Sequence, residues 1–178
     1  MRRMVFDLET VHSAAEVGGW SNVQLMRLSA AVIYDFERGE FLAFREYETD
    51  DLVQVLSRAE CVIGYNLFGL CYRVLSYYSR FRFDRLHSLD LLDYFRQKTG
   101  SRERLEDLAR ATLNRARETH GLDVLNWAKS GAWEKVAGHC RQDVELIKEI
   151  YEFGLHNKFV MTYLPGGLVP QKLTVDWV

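Results

Sequence analysis

The sequence predicts one mixed α/β domain, residues 1–178, with residues 160–178 as an extended C-terminal tail. Three observations carry that prediction. Short apolar, β-rich runs and helical stripes follow one another in the order strand, strand, strand, helix, strand, helix. A hydrophobic fraction of 48% over 178 residues is enough for one sizeable core, and no linker, repeat or low-complexity tract divides it. Towards the end, Val136, Cys140, Val144, Ile147 and Tyr151 recur at three- and four-residue steps, the stripe of a long helix covering a core.

Residues 4–8 read as a central strand, because Val5, Phe6 and Leu8 surround the acidic positions with apolar side chains. A loop at 14–19 leads to strands at 28–34 and 40–47, joined by the tight turn Glu37-Arg38-Gly39. Thr49 is placed to cap a helix reaching Arg58, with Asp50 and Asp51 in the first turn, where free backbone N–H groups favour anions. A strand at 61–65 ends at Asn66, a turn or cap residue. Helical spacing of Leu67, Leu70, Cys71, Val74, Leu75 and Tyr78 follows. Residues 86–89 give a short strand, and Asp90 is placed to cap a helix at 91–97 that Gly100 breaks. Leu105, Leu108, Ala109 and Thr112 mark a helix at 103–113, and a loop around His120-Gly121 leads to helical residues 122–129. The long helix covers 133–155. Beyond Pro165-Gly166-Gly167, residues 168–177 read as extended or edge structure because Pro170 lacks a ladder donor.

The chemistry begins with Asp7 and Glu9. Alternation along a strand puts both carboxylates on one face, which is comfortable on a solvated edge or beside a cation. The apolar surroundings and a further carboxylate, Asp143, in the long helix favour a divalent-metal site with oxygen ligands, as used in phosphoryl transfer. His139 stands one helical turn before Asp143. It is either half of a helix-surface pair or a group that orients or deprotonates a metal-activated water.

The net charge of −2 excludes a globally basic nucleic-acid binder, yet residues 73–117 hold eleven Lys/Arg against six Asp/Glu. That segregation fits solvated helix faces or a phosphate track. Cys61, Cys71 and Cys140 form no C-x-x-C pair, so a reducing compartment is expected; with no signal-peptide core and no membrane-length apolar run, the expected location is cytoplasmic. No phosphate-loop spacing occurs, and neither a membrane nor a nucleoside triphosphate partner is indicated. Trp20, Trp127, Trp133 and Trp177 are expected in core or rim packing, with Trp20 the one in a loop where a base could stack. His87 reads as a hydrogen-bonded core residue, and Gly64, Gly166 and Gly167 as turn glycines.

Asp7-Leu8-Glu9-Thr10, then Ile63-Gly64-Tyr65-Asn66 entering a helix, then Cys140-Arg141-Gln142-Asp143-Val144 resembles the three ordered motifs of the DEDD superfamily of 3′-5′ exonucleases. The resemblance is greatest to bacterial ribonuclease H-like exonuclease domains related to the proofreading domain of family B polymerases, and spans residues 4 to about 151. It implies a ribonuclease H-like fold: a mixed five-stranded sheet flanked by helices, first strand central, second and third antiparallel beside it. It further implies that Asp7, Glu9 and Asp143 hold Mg²⁺ or Mn²⁺, up to two ions in all, with His139 at the attacking water. Thr10, Trp20, Tyr65 and Asn66 would then contact a single-stranded DNA or RNA 3′ end. Two positions depart from the family pattern. Cys71 stands where the second motif has Asp, and a thiol is a poor ligand for a hard ion, so the second ion would be weakly held. His139 lies four residues before Asp143, the slot of one branch's Tyr, whereas the His of the other branch lies five before, here Gly138. Asp84 and Asp90 are the substitute carboxylates to weigh, Asp90 more simply as a helix cap. The alternative to an enzyme is a weak or inactive nucleic-acid-binding or protein-interaction module on the same fold.

Overall fold

The computed structural model describes residues 2–115, 121–164 and 167–177; His120, Pro165 and Gly166 of the expected loops lie outside them. Strands β1 (Arg3–Thr10), β2 (Leu28–Asp35) and β3 (Glu40–Arg45) form an antiparallel meander, and β4 (Cys61–Gly64) and β5 (Ser88–Asp90) extend the sheet in parallel. The order β3-β2-β1-β4-β5 puts β1 in the middle, as its apolar sequence predicts. Alternation divides that strand between two layers. Met4, Phe6 and Leu8 pack with Leu52, Leu56 and Val74, from α1 (Thr49–Leu56) and α2 (Tyr72–Leu75). Val5 faces the opposite layer, built from α3 (Leu91–Thr99), α4 (Leu105–Leu113) and the long helix that follows α5 (Gly121–Lys129), namely α6 (Trp133–Asn157). A five-stranded mixed sheet covered by helices on both faces is the ribonuclease H-like arrangement the sequence predicts. The expected α6 stripe, Val136, Cys140, Val144, Ile147 and Tyr151, is buried throughout.

Several local expectations are corrected. The third strand ends at Arg45, and residues 46–48 make a 3₁₀ turn whose Glu48 carboxylate accepts the Arg45 amide at 2.7 Å; Thr49 is then the first helical residue instead of the cap. The expected helix at 67–78 is a π turn, Leu67–Cys71, followed by the single α turn of α2. Within it a Cβ on Gly69 would lie 2.3 Å from Asn66 Oδ1, so the missing side chain makes room for the Asn66 amide. Gly64 is no turn residue but ends β4, where a Cβ would come within 2.7 Å of the Phe6 carbonyl on β1. His87, expected in the core, is exposed just before β5.

Residues 160–178 were expected as an extended tail; of these, residues 160–164 and 167–177 are described, and parts of both pack against the rest of the fold. β6 (Phe159–Thr162) pairs antiparallel with β7 (Gln171–Thr174) in a second small sheet. Past β7, Val175 and Trp177 enter the α6 layer, where the Trp177 indole N–H donates to the Tyr151 carbonyl at 3.2 Å and the ring stacks on Tyr151. Among the described residues no helix is long and apolar enough to cross a membrane.

Candidate metal centre and a cleft

The centre lies where α6 crosses the end of β1. Asp7 and Glu9 share Val5's side of the strand, the side α6 covers. A bulge between Glu9 and Thr10 shifts the register against β2, a device that re-aims side chains at the end of a strand. Cys140 ties helix to strand by donating its thiol to the Asp7 carbonyl at 3.4 Å. One residue before it and three after, His139 and Asp143 project toward Glu9. His139 Nε2 lies 3.5 Å from a Glu9 carboxylate oxygen and 3.6 Å from one of Asp143. One ligand atom from each of Glu9, His139 and Asp143 falls within 4.8 Å of the others. Two carboxylates and an imidazole so gathered match the chemistry of a single divalent-metal site. His139 and Asp143 are buried and Glu9 forms the half-open rim.

Asp7 is also buried, two residues before Glu9 on the same face of β1. Its Oδ1 accepts the thiol of Cys71, the last residue of the π turn, at 3.7 Å. Burial pushes the Cys71 thiol well above its ordinary pKa, and the neighbouring Asp7 carboxylate adds to the rise. A thiol is a soft donor and suits a hard cation poorly.

Asp90 is the hub of the adjoining wall. Its carboxylate accepts the amides of Asn66 at 2.8 Å and Phe68 at 3.0 Å, and also caps α3 through Leu92 at 3.1 Å. Burial raises its pKa, with those backbone donors pulling the other way. The helix-cap role expected for Asp90 holds, and it extends to the π turn, a second task that the sequence does not signal. Asp84 is instead paired with Arg82 on the surface.

Of the expected nucleotide contacts, Asn66 and Trp20 line one cleft of about 610 Å³ together with Phe68, Arg96 and Arg102. Trp20 is 54% exposed, with the Arg102 guanidinium 5.7 Å from its ring centroid. Arg73 holds the Trp20 segment by donating to the Trp20 and Ser21 carbonyls at 3.0 and 2.8 Å. Tyr65 is engaged elsewhere, its hydroxyl donating to the Glu103 carbonyl at 2.6 Å, and Thr10 is buried with its hydroxyl on the His12 carbonyl. Sequence reasoning missed Phe68, Arg96 and Arg102; only their place in the basic stretch of residues 73–117 hinted at the two arginines. Other cations of that stretch are paired, Arg104 with Glu106, Arg110 with Asp107 and Arg115 with Glu149.

No protein-family model matches the chain, and no curated protein matches it. Among solved structures it is similar to the family B DNA polymerase from the hyperthermophilic archaeon Pyrobaculum calidifontis, with 16% identity and a TM-score of 0.66. The match covers 87% of this chain and 24% of the polymerase chain. At that identity the likeness establishes a shared fold.

Proposed function

We propose that residues 1–178 form a single cytoplasmic exonuclease-type domain that hydrolyses single-stranded DNA or RNA from the 3′ end with a divalent ion, Mg²⁺ or Mn²⁺. The observation that carries this reading is the Glu9, His139 and Asp143 cluster at the end of the central strand, with Asp7 beside it. Three buried free cysteines support a reducing compartment. An ion held there supplies charge neutralisation at a scissile phosphate oxygen and acidifies a water. Asp7, Glu9 and Asp143 would be its carboxylate ligands. His139 Nε2 serves either as a further ligand or as acceptor of the water's proton, since one lone pair cannot do both. Asn66 and Trp20, which line the cleft, would contact the terminal nucleotides, as would Tyr65 and Thr10 on giving up the backbone contacts they make here. In the reaction the water oxygen bonds to phosphorus, the bond to the 3′ oxygen breaks, and that oxygen takes up a proton.

A second reading, a binding module with slow or no hydrolysis, is favoured by one observation: a thiol, that of Cys71, and no carboxylate faces Asp7 at 3.7 Å. Single-turnover digestion of a 3′-labelled strand tests the first reading. Release of mononucleotides should require Mg²⁺ or Mn²⁺ and disappear in Asp143→Ala; release that ignores either condition would refute it.

A further inference from the structure

We propose that the outer edge of β3 is a self-association surface, where the strand pairs antiparallel with β3 of a second copy across a two-fold axis at Leu42. In the order β3-β2-β1-β4-β5 no strand lies beyond that edge among the described residues. Natural sheets guard an open edge with Lys, Pro, a bulge or a very short strand. Such guards occur elsewhere in this fold: β5 is three residues long, and β7 carries Lys172 and follows Pro170. β3 has none of them. Phe41-Leu42-Ala43-Phe44 is uncharged, and its ladder with β2 runs without a register shift. An apolar edge left open in this way is a template for another strand.

The free backbone groups of β3 fit those of a second copy. Hydrogen-bonded and non-hydrogen-bonded pairs alternate along an antiparallel ladder. The Phe36 amide donates to the Arg3 carbonyl at 3.1 Å, so Asp35, Ile33 and Ala31 face β3, and their partners Glu40, Leu42 and Phe44 face β2. Phe41, Ala43 and Arg45 therefore turn their backbone N–H and C=O groups outward. The Arg45 amide is already taken by the Glu48 carboxylate at 2.7 Å, and the Gly39 amide by the Asp35 carbonyl at 2.8 Å. Residues directly opposite one another share an orientation, so the two-fold axis falls at a residue: Phe41, Leu42 or Ala43. An axis at Phe41 sets Ala43 against Gly39, and an axis at Ala43 sets Phe41 against Arg45; both need an amide that is engaged. An axis at Leu42 sets Phe41 against the partner's Ala43 and Ala43 against the partner's Phe41, each pair exchanging both of its N–H···O bonds. The same register lays a half-buried Phe41 beside an exposed Ala43, large against small, and brings Leu42 against Leu42.

Sedimentation velocity of the full chain tests this. The weight-average mass should rise from monomer to dimer between about 1 μM and 1 mM, the span of a small interface. Ala43→Pro should fold as before, because Pro is tolerated on an edge strand where the N–H faces outward, yet stay monomeric throughout. If Ala43→Pro fails to fold, Ala43→Glu, which keeps the amide and sets a carboxylate beside the partner's Phe41, should be monomeric in its place. Disulfide capture with oxidised glutathione reads the register. Leu42→Cys should cross-link to its own copy, with Cα atoms about 4.5 Å apart in a non-hydrogen-bonded pair, whereas Ala43→Cys, more than about 7 Å from itself, should not. A monomer at every concentration, a dimer that the folded variant leaves intact, or capture through Ala43→Cys and not through Leu42→Cys would overturn the inference.

Discussion

Cys71 and Asp90 show how single residues set the limits of this site. An Asp at position 71 would face Asp7 as a second carboxylate; the thiol faces it as a hydrogen-bond donor at 3.7 Å. The sequence made that substitution legible, because its place relative to Asn66 was fixed by spacing. Asp90 was legible only as a cap. Its bonds to Asn66 and Phe68 depend on a π turn that no periodicity announces, since Leu67, Leu70, Cys71 and Val74 suit an ordinary helix equally well. Asp90→Ala would leave four backbone amides without their acceptor, those of Asn66, Phe68, Leu92 and Asp93. Denaturant midpoints should record a loss of about 2–4 kcal/mol, more than a helix cap alone contributes. A loss within the range of a simple cap would show that the π turn does not depend on this carboxylate.

At the scale of elements, β1 and α6 were the most legible because each has a strong period and a fixed partner face. The crossing brought Glu9 and Asp143 together as the packing of a long helix over a central strand requires, and it added His139 to the same cluster. Terminal elements were less legible: β6 and β7 are four-residue strands whose pairing arises from tertiary context, and β3 stops where Glu48 reaches back to the Arg45 amide. The turn between β2 and β3 carries a pH-dependent lock. Burial alone would raise the Asp35 carboxyl, but the Arg2 guanidinium at 2.7 Å and the Glu37 amide at 2.9 Å together hold it below the usual carboxylate range. A depressed carboxyl contributes stability above its unfolded value, about 3.9, and loses it as pH falls through the folded value. Asp35→Asn should therefore melt earlier than wild type at neutral pH, with the gap closing as pH drops below the unfolded value. An unchanged gap across that window would assign the effect to packing.

Taken whole, the chain has its fold written in hydrophobic pattern and its site in three separated motifs, while the cleft and the C-terminal packing emerge only when distant segments meet. Trp177 illustrates the second kind: nothing near it in sequence predicts that it closes the layer over Tyr94, Phe95 and Tyr151. Trp177→Ala should lower stability by roughly 3 kcal/mol in thermal or denaturant unfolding, against nearly nothing if the last residues were peripheral. The central claim is that a hydrolytic site persists here, short of one carboxylate at position 71. Its most direct measurement is the single-turnover rate of Mn²⁺-dependent nucleotide release from a 3′-labelled single strand by Cys71→Asp beside the wild type. The account predicts a rise of about 10- to 1,000-fold, the span of about 2–4 kcal/mol for restoring one electrostatic group. A Cys71→Asp variant as inert as its parent, folded and still binding the strand, would contradict it and leave a binding module.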